Sequence, residues 1–379
     1  VNLNKVLLNA SNLHVGGGVQ VATSVIGELT MMSNLPELLE IWASDEVDKN
    51  LRSLNYDLTV LPNYRVVNSY GIKALNKDFQ KKLNSFSKVF TIFGPLYSFS
   101  RKFENITGFA QPWIIYPENE IYANMNFMNK VKTRVKFSLQ KMFFKRADHL
   151  IVELEHVALR LVDKKICNSQ NVTVVNNCFS AVFLQVERWK EINCNFPKDK
   201  IKIGFVGRNY PHKNTKIFPQ VKAYLKSEHN IDSEFYVTFS PEEWAACDQK
   251  FKSDICNVGV LTVDQCPIFY RHMDAIIFPS LLECFSATPL EAMVMERPLF
   301  ASDTPFNHDV CNEHAIYFDP LNPCDAANKI AKYFQYVDND SSSASALLKG
   351  RKRAMEFSYA DMRASMYLQC LISKDLIRR

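Results

Sequence analysis

Short runs of continuous apolar, β-prone residues recur along this chain, separated by segments of helical length and pattern. In the first half they are "KVLLNA", "LEIWAS", "KVFTIFG", "PWIIYP", "HLIVEL" and "VTVVNN"; in the second, "IKIGFVG", "FYVTF", "VGVLT", "AIIFPS", "PLFASD" and "AIYFDP". Strict alternation would mark strands with one wet face, whereas unbroken runs suit strands covered by helices on both faces. The pattern therefore predicts β-α-β units assembled into parallel sheets. At 379 residues the chain exceeds a typical core of about 100 to 150 residues. The expectation is an α/β protein of two Rossmann-like, doubly wound domains facing across a cleft.

The break is expected in "QVERWKEINCNFPKDK", a polar stretch with a proline just before a fresh strand. This gives domains at 1–190 and 191–358, with the helical pattern of 359–379 able to pack back on the first. No internal repeat is visible. Low-complexity "DNDSSSASA" near the C-terminus reads as a turn or loop, and its D-x-D is away from any strand end, so it is not taken as a metal motif.

Composition narrows the class of function. Hydrophobic residues make up 47% and charged residues 22%, ordinary for a folded enzyme and unlike a disordered chain. The net charge of +5 is too small to indicate nucleic acid. The ten cysteines form no C-x-x-C pair and no zinc-like spacing, which suggests reduced thiols, a cytoplasmic setting and no metal. No apolar stretch is long enough to span a bilayer, and "VNLNKVLLNA" does not resemble a secretion signal.

In doubly wound sheets, ligands bind outside the carboxyl ends of the strands, and chemistry is expected there. One such place is "NASNLHVGGGVQVATSVIGEL", where Gly16, Gly17 and Gly18 open a helix in a chain with only 11 glycines. Glycines let backbone N–H groups approach an anion or a sugar at a helix N-terminus, although the G-x-G-x-x-G dinucleotide pattern is absent. Another is "IGFVGRNYPHKNTKIF", where Arg208 and Lys213 follow a buried strand and suit a diphosphate, Arg as a fork and Lys as a point charge. A solvated turn explains these two cations equally well.

A further strand end, "AIIFPSLLECFSATPLEAM", carries Glu283 and Glu291. Thr288 as N-cap, Pro289 at the first helical position and Glu291 three residues on would make a capping box. That accounts for Glu291 but not for Glu283 at the strand end, nor for the small turn of Cys284, Ser286 and Ala287, whose amides would meet an anion.

These sites together resemble the retaining glycosyltransferases of family 4, which have the two-Rossmann GT-B fold. The likeness spans almost the whole chain. It rests on "GRNYPHK", similar to G-R-x4-K, and "ECFSATPLE", similar to E-x7-E, with support from "RADHLIVELEHV", "VTVVNN" and "PLEAMVMERPLFASD". It implies that Arg208 and Lys213, beside Gly207, bind the diphosphate of a nucleotide sugar, together with backbone amides around Cys284, Phe285, Ser286 and Ala287. It implies further that Glu291 binds the ribose, that Glu283 faces the donor sugar as the catalytic carboxylate, and that the loop at Gly16, Gly17 and Gly18 closes over donor and acceptor. Transfer would be metal-independent and retaining, by front-face attack, with a glycan or lipid-linked acceptor in polysaccharide or O-antigen-type biosynthesis.

Two departures qualify the likeness. Cys284 and Ser286 stand where the family often has glycine. The loop "GFAQPWIIYPENEIY" lacks the histidine many members place near the donor sugar; its nearest chemistry is Tyr116, Glu118 and Asn119, which points to a different donor, such as a sugar without the 6-hydroxyl. Two alternatives share the fold: a sugar-nucleotide epimerase, or a non-catalytic nucleotide-sugar-binding module. A phosphorylase would need a pyridoxal-phosphate lysine that nothing marks.

The stretch "MNKVKTRVKFSLQKMFFKR" is basic and helical. At roughly 100° per residue, Met128, Val131, Val135, Leu139 and Met142 form an apolar stripe. Lys130, Arg134, Lys141 and Lys145 lie opposite, with Phe137 and Phe144 beside them, as an outward face suited to an anionic membrane.

Overall fold

A computed structural model of the chain describes residues 5–336, 341–357 and 359–373. The D-x-D at 338–340 and the last residues of the expected C-terminal helix lie outside them. Among the described residues there are two compact units. One holds those within Val1–Pro117, Met125–Asn177 and Ser358–Arg379, the other those within Glu118–Asn124 and Cys178–Phe357. The changeover thus falls at 177–178, not at 190. The intervening stretch goes with the second unit because its side chains pack there: the Phe183 ring lies 5.7 Å from Tyr270, and Lys190 pairs with Asp264 at 2.8 Å.

The first unit is a parallel sheet of seven strands: β1 Val6–Ala10, β2 Leu39–Ala43, β3 Tyr64–Val66, β4 Lys88–Thr91, β5 Glu104–Gly108, β6 His149–Val152 and β7 Val172–Val174. Their order is β3-β2-β1-β4-β5-β6-β7, and Val6 stands in register with both Leu39 and Lys88. The second unit has six parallel strands: β8 Ile201–Phe205, β9 Ser233–Val237, β10 Ile255–Asn257, β11 Ala275–Phe278, β12 Leu299–Ser302 and β13 Ile316–Phe318. Their order is β10-β9-β8-β11-β12-β13. Both sheets reverse winding direction once, between β1 and β4 and between β8 and β11, which creates a topological switch point in each. The unbroken apolar runs have the predicted cause: Ile276, Ile277 and Phe278 of β11 are fully buried.

Some runs fold otherwise. "PWIIYP" is the short helix Pro112–Ile115; Pro112, with no N–H to give a sheet, starts a helix readily. The strand in that part of the sheet is β5, "ENITG", whose Asn105 and Thr107 are buried but bonded to each other at 3.0 Å; its polarity hid it. "VGVLT" is not a strand, and the short edge strand β10 precedes it. The helix Ala360–Ile372 lays Ala364, Tyr367, Cys370 and Leu371 into the core of the first unit. Its buried Arg363 donates to the Asn177 side chain and, at 2.9 Å, to the Ser24 hydroxyl.

Candidate active site

The switch point of the second unit is built where β8 and β11 end side by side. Gly207 follows β8 at φ 152°, and a Cβ there would stand 3.0 Å from the end of the Phe205 ring, so the turn requires glycine. Its amide donates to the Thr238 hydroxyl at 3.1 Å, tying the β8 loop to the β9 loop. The β11 loop is tied in as well: the His212 carbonyl accepts from the Leu281 amide at 2.7 Å and from the Ser280 hydroxyl at 3.1 Å. The Ser302 hydroxyl at the end of β12 donates to the Ser280 carbonyl at 2.7 Å.

On this frame the two predicted cations sit differently. Lys213 is largely buried, its Nζ 2.6 Å from Glu283 Oε1 and over the Phe278 ring at 5.0 Å. Glu283 is 8% exposed and also accepts from the Ser280 hydroxyl at 2.7 Å. His212 Nε2 is 3.9 Å from the same carboxylate oxygen. Burial holds the His212 imidazole below its ordinary range, with Glu283 pulling it up and Lys213 pushing it down. Arg208 is half-exposed, and its Nε donates to Glu243 Oε1 at 2.7 Å. That bond, ahead of burial, which opposes it, raises the guanidinium pKa. Glu243 is itself anchored, since it closes a capping box with Ser240 on the helix Pro241–Ala245.

The expected capping box at Thr288 and Glu291 does not form. The helix runs Ala287–Val294 with Ser286 as N-cap and no side-chain cap bond. The helix begins before Thr288, which is therefore its second residue and not its N-cap. Thr288 turns to donate to the Val206 carbonyl at 3.2 Å. Glu291 accepts from the hydroxyl of fully buried Tyr270 at 2.7 Å. Burial lifts the Glu291 carboxyl to about 7, against the pull of that hydrogen bond. Cys284 is buried, while Phe285, Ser286 and Ala287 are half-buried and lead into the helix N-terminus. Tyr270 is the functional candidate that sequence reasoning missed; nothing in "CPIFYRH" signals that its hydroxyl meets a carboxylate on the next helix, beyond β11.

The first unit's switch point is neutral. Gly16 has φ 75°, and Gly17 and Gly18 begin the helix Gly17–Leu29. Gly16 and Gly17 are exposed, and a Cβ on either would meet nothing within 4 Å, whereas one on Gly18 would stand 3.1 Å from Leu13. His14, also missed, stacks on Tyr70 at 4.2 Å and bonds the Ser69 carbonyl at 2.9 Å. Tyr116 lies under Arg160, 5.4 Å from its ring, and 6.4 Å from the His156 ring. The loop without a histidine thus has one as a neighbour, contributed by the helix Glu155–Asp163. Glu118 is exposed, and Asn119 caps the helix Glu120–Ala123, accepting from the Tyr122 amide at 3.1 Å.

The basic helix, Phe127–Phe144, is turned opposite to expectation. Phe144 is 1% exposed and packs on Phe109 at 4.7 Å, and Phe137 stacks on Trp113 at 5.6 Å. The aromatics pack into the core's ring cluster, and Met128, Val131, Val135 and Met142 are left outside. Lys130 and Lys141 are half-buried, and Arg134 and Lys145 exposed. Among the described residues no group of His, Cys, Asp or Glu could hold a metal ion, and all ten cysteines are free thiols.

Two parallel, doubly wound sheets define a protein of the GT-B architecture. Residues 200–335 match the family described as glycosyl transferases group 1. An O-antigen chain mannosyltransferase, RfbU of Salmonella typhimurium, is 24% identical over 52% of this chain. The match spans about half of that relative, 54% of its length. Solved structures share the fold over nearly the whole chain. A glycosyltransferase from Rickettsia africae has a TM-score of 0.69 at 13% identity, covering 99% of each chain. Anabaena Alr3699/HepE in complex with UDP-glucose has a TM-score of 0.66 at 12% identity, covering 97% of this chain and 98% of that one. Sucrose-phosphate synthase from Thermosynechococcus elongatus has a TM-score of 0.67 at 14% identity, with 97% and 98% covered.

Proposed function

We propose that this chain is a retaining, metal-independent glycosyltransferase that moves a hexosyl or deoxyhexosyl group from a nucleotide-diphosphate sugar to a glycan or lipid-linked acceptor. Its setting is polysaccharide or O-antigen-type biosynthesis at the cytoplasmic side of a membrane. The observation that carries this reading is the pairing of Lys213 with Glu283, with Arg208 anchored on an adjoining loop and an uncapped helix N-terminus alongside. RfbU supports a surface-glycan acceptor by its name, and HepE's UDP-glucose complex supports a nucleotide-sugar donor.

In this reading Glu243 holds Arg208 by Nε, and the remaining guanidinium edge meets the diphosphate. Lys213 shifts part of its charge from Glu283 to the phosphates as negative charge grows on the leaving group. The helix N-terminus at Ala287 adds its unpaired amides to the same oxygens. Glu283, kept in place by Ser280, faces the sugar hydroxyls and needs no covalent role. Tyr270 holds one oxygen of Glu291, which leaves the other for the ribose. Because His156 stands beside Tyr116, the loop's own lack of histidine no longer argues for a donor without the 6-hydroxyl.

The test incubates the full chain with a panel of nucleotide-diphosphate hexoses and deoxyhexoses plus acceptor glycans, with product anomers read by NMR. Transfer with retained configuration, insensitive to chelator and lost in Glu283→Ala while nucleotide binding survives, is expected. Nucleotide-sugar binding with no transfer would favour a binding module, and a sugar epimerised while still on its nucleotide would favour an epimerase.

A further inference from the structure

We infer, on the donor-site reading proposed above, that His212 is a positioning residue for Glu283: it takes up a proton and pairs with that carboxylate when a bound diphosphate draws Lys213 away. Glu283 is 8% exposed, and its Oε1 meets both Lys213 Nζ at 2.6 Å and the Ser280 hydroxyl at 2.7 Å. Lys213 cannot serve a carboxylate and a diphosphate in full at once. Once its ammonium turns to the phosphates, a buried carboxylate is left with one neutral donor, which is costly. Arg208 cannot step in, because Glu243 holds it at 2.7 Å. The group in reach is His212, whose Nε2 stands 3.9 Å from Oε1. A movement of about 1 Å brings it to hydrogen-bond distance.

The loop keeps the imidazole at that spot. The Leu281 amide donates to the His212 carbonyl at 2.7 Å, which binds the backbone of His212 to the loop that carries Glu283. The Tyr210 ring stacks on the imidazole at 5.5 Å with 24° between the planes, and an aromatic face favours a cation. The titratable groups that face His212 are Glu283, from the loop after β11, and Lys213 and Tyr210, from its own turn. Burial holds the ring neutral, Glu283 pulls it toward charge, and Lys213 pushes it away from charge. When Lys213 gives its charge to an anion, that push falls away and the ring binds a proton from water. Glu283 stays ionised throughout, and no covalent bond other than the new N–H changes. Among the described residues the other histidine–carboxylate contacts, His308 with Asp303 and His314 with Glu313, use exposed acids.

The test is calorimetry of the full chain with UDP-glucose, GDP-mannose and dTDP-rhamnose in turn, in buffers of different ionisation enthalpy. The diphosphates of these sugars carry no proton that titrates near pH 7. The wild type should take up more protons on binding than His212→Asn, by about half a proton or more at pH 7. Reading the difference cancels any proton that Glu291 gives up. Binding should also tighten by about threefold more per pH unit in the wild type than in the variant as pH falls through 7. Glu283→Gln keeps the imidazole but removes its carboxylate, so it should lose the same uptake, and it serves as the second variant if His212→Asn folds poorly. An imidazole that only fills the turn would take up no proton. Equal uptake in wild type and His212→Asn, or uptake that survives Glu283→Gln, overturns the role of His212 and leaves the donor site standing. No binding of any of the three nucleotide sugars overturns both.

Discussion

The two switch points share a topology and differ in chemistry. In the second unit the strand ends present ion pairs and a carboxyl in a buried hydrogen bond: Lys213 with Glu283, Arg208 with Glu243, Glu291 with Tyr270. In the first unit the equivalent ends carry neutral groups. Asn9 donates to the Thr91 hydroxyl at 3.1 Å, Ser11 donates to Asn9 at 2.7 Å, and Ser11 and Ser69 share a bond at 3.0 Å. One frame thus holds paired charges, and the other holds oriented amides and hydroxyls beside bare glycine backbone. The fold provides the location, and the side chains on its loops set which ligand chemistry is possible.

The strongest challenge to that contrast is Lys213→Ala. It leaves a buried carboxylate unpaired, and stability should fall by about 3 kcal/mol, read by thermal or denaturant unfolding. Transfer should fall by at least about a hundredfold. If stability falls and transfer persists, the pair is architecture alone. Restoring stability with Glu283→Gln in the same chain, without restoring transfer, would separate the two roles.

Glu291 offers a pH test. Its folded carboxyl is lifted to about 7 from an ordinary 4.5, so the folded state binds the extra proton between these values. Stability is then fully present below about pH 4.5 and is lost as pH rises toward 7, by on the order of 3 kcal/mol. Glu291→Gln should flatten that slope in urea titrations across the window. An unchanged slope would mean that Tyr270 faces a carboxylate that is ionised throughout.

Arg208→Ala should separate ligand holding from folding. Its partner pair is half-exposed and contributes no more than about 1 kcal/mol, so the melting curve should barely move. Donor kcat/KM should fall about tenfold or more. A large loss of stability would show that the Arg208–Glu243 pair is structural.

The smallest effects belong to the neutral switch point. Gly17→Ala meets nothing within 4 Å and should change stability by no more than about 0.5 kcal/mol. Gly16→Ala, at φ 75°, should be less stable by about 1 kcal/mol. Neither should alter the affinity for a nucleoside diphosphate measured by calorimetry. A loss there would break the division of chemistry between the two units.

Much of this was visible in the chain itself. Continuous apolar runs imply parallel strands because burial on both faces leaves no place for alternation, and the glycines and the cation and carboxylate spacings fall at strand ends. What failed failed for physical reasons. β5 escaped notice because its polar Asn105 and Thr107 satisfy each other inside the sheet. "PWIIYP" has the look of a strand because a short apolar run carries no period of its own, yet it folds as a helix. The Thr288–Glu291 spacing fits a capping box, but the helix starts at Ala287, which puts Thr288 inside it and not at its cap. On the basic helix, periodicity correctly grouped the aliphatic residues yet could not say which side faced water.

The sequence by itself determined most of the element types, the parallel sheets and the loops that bear chemistry, because these depend on local propensity and on the period of apolar residues. Only the tertiary structure decided the partners. Lys213 took Glu283, Arg208 took Glu243 and Glu291 took Tyr270, because each pairing joins residues from separate loops or helices that a strand order of β9-β8-β11 brings together. Contacts between distant segments depend on how sheets order their strands, and no local pattern records that.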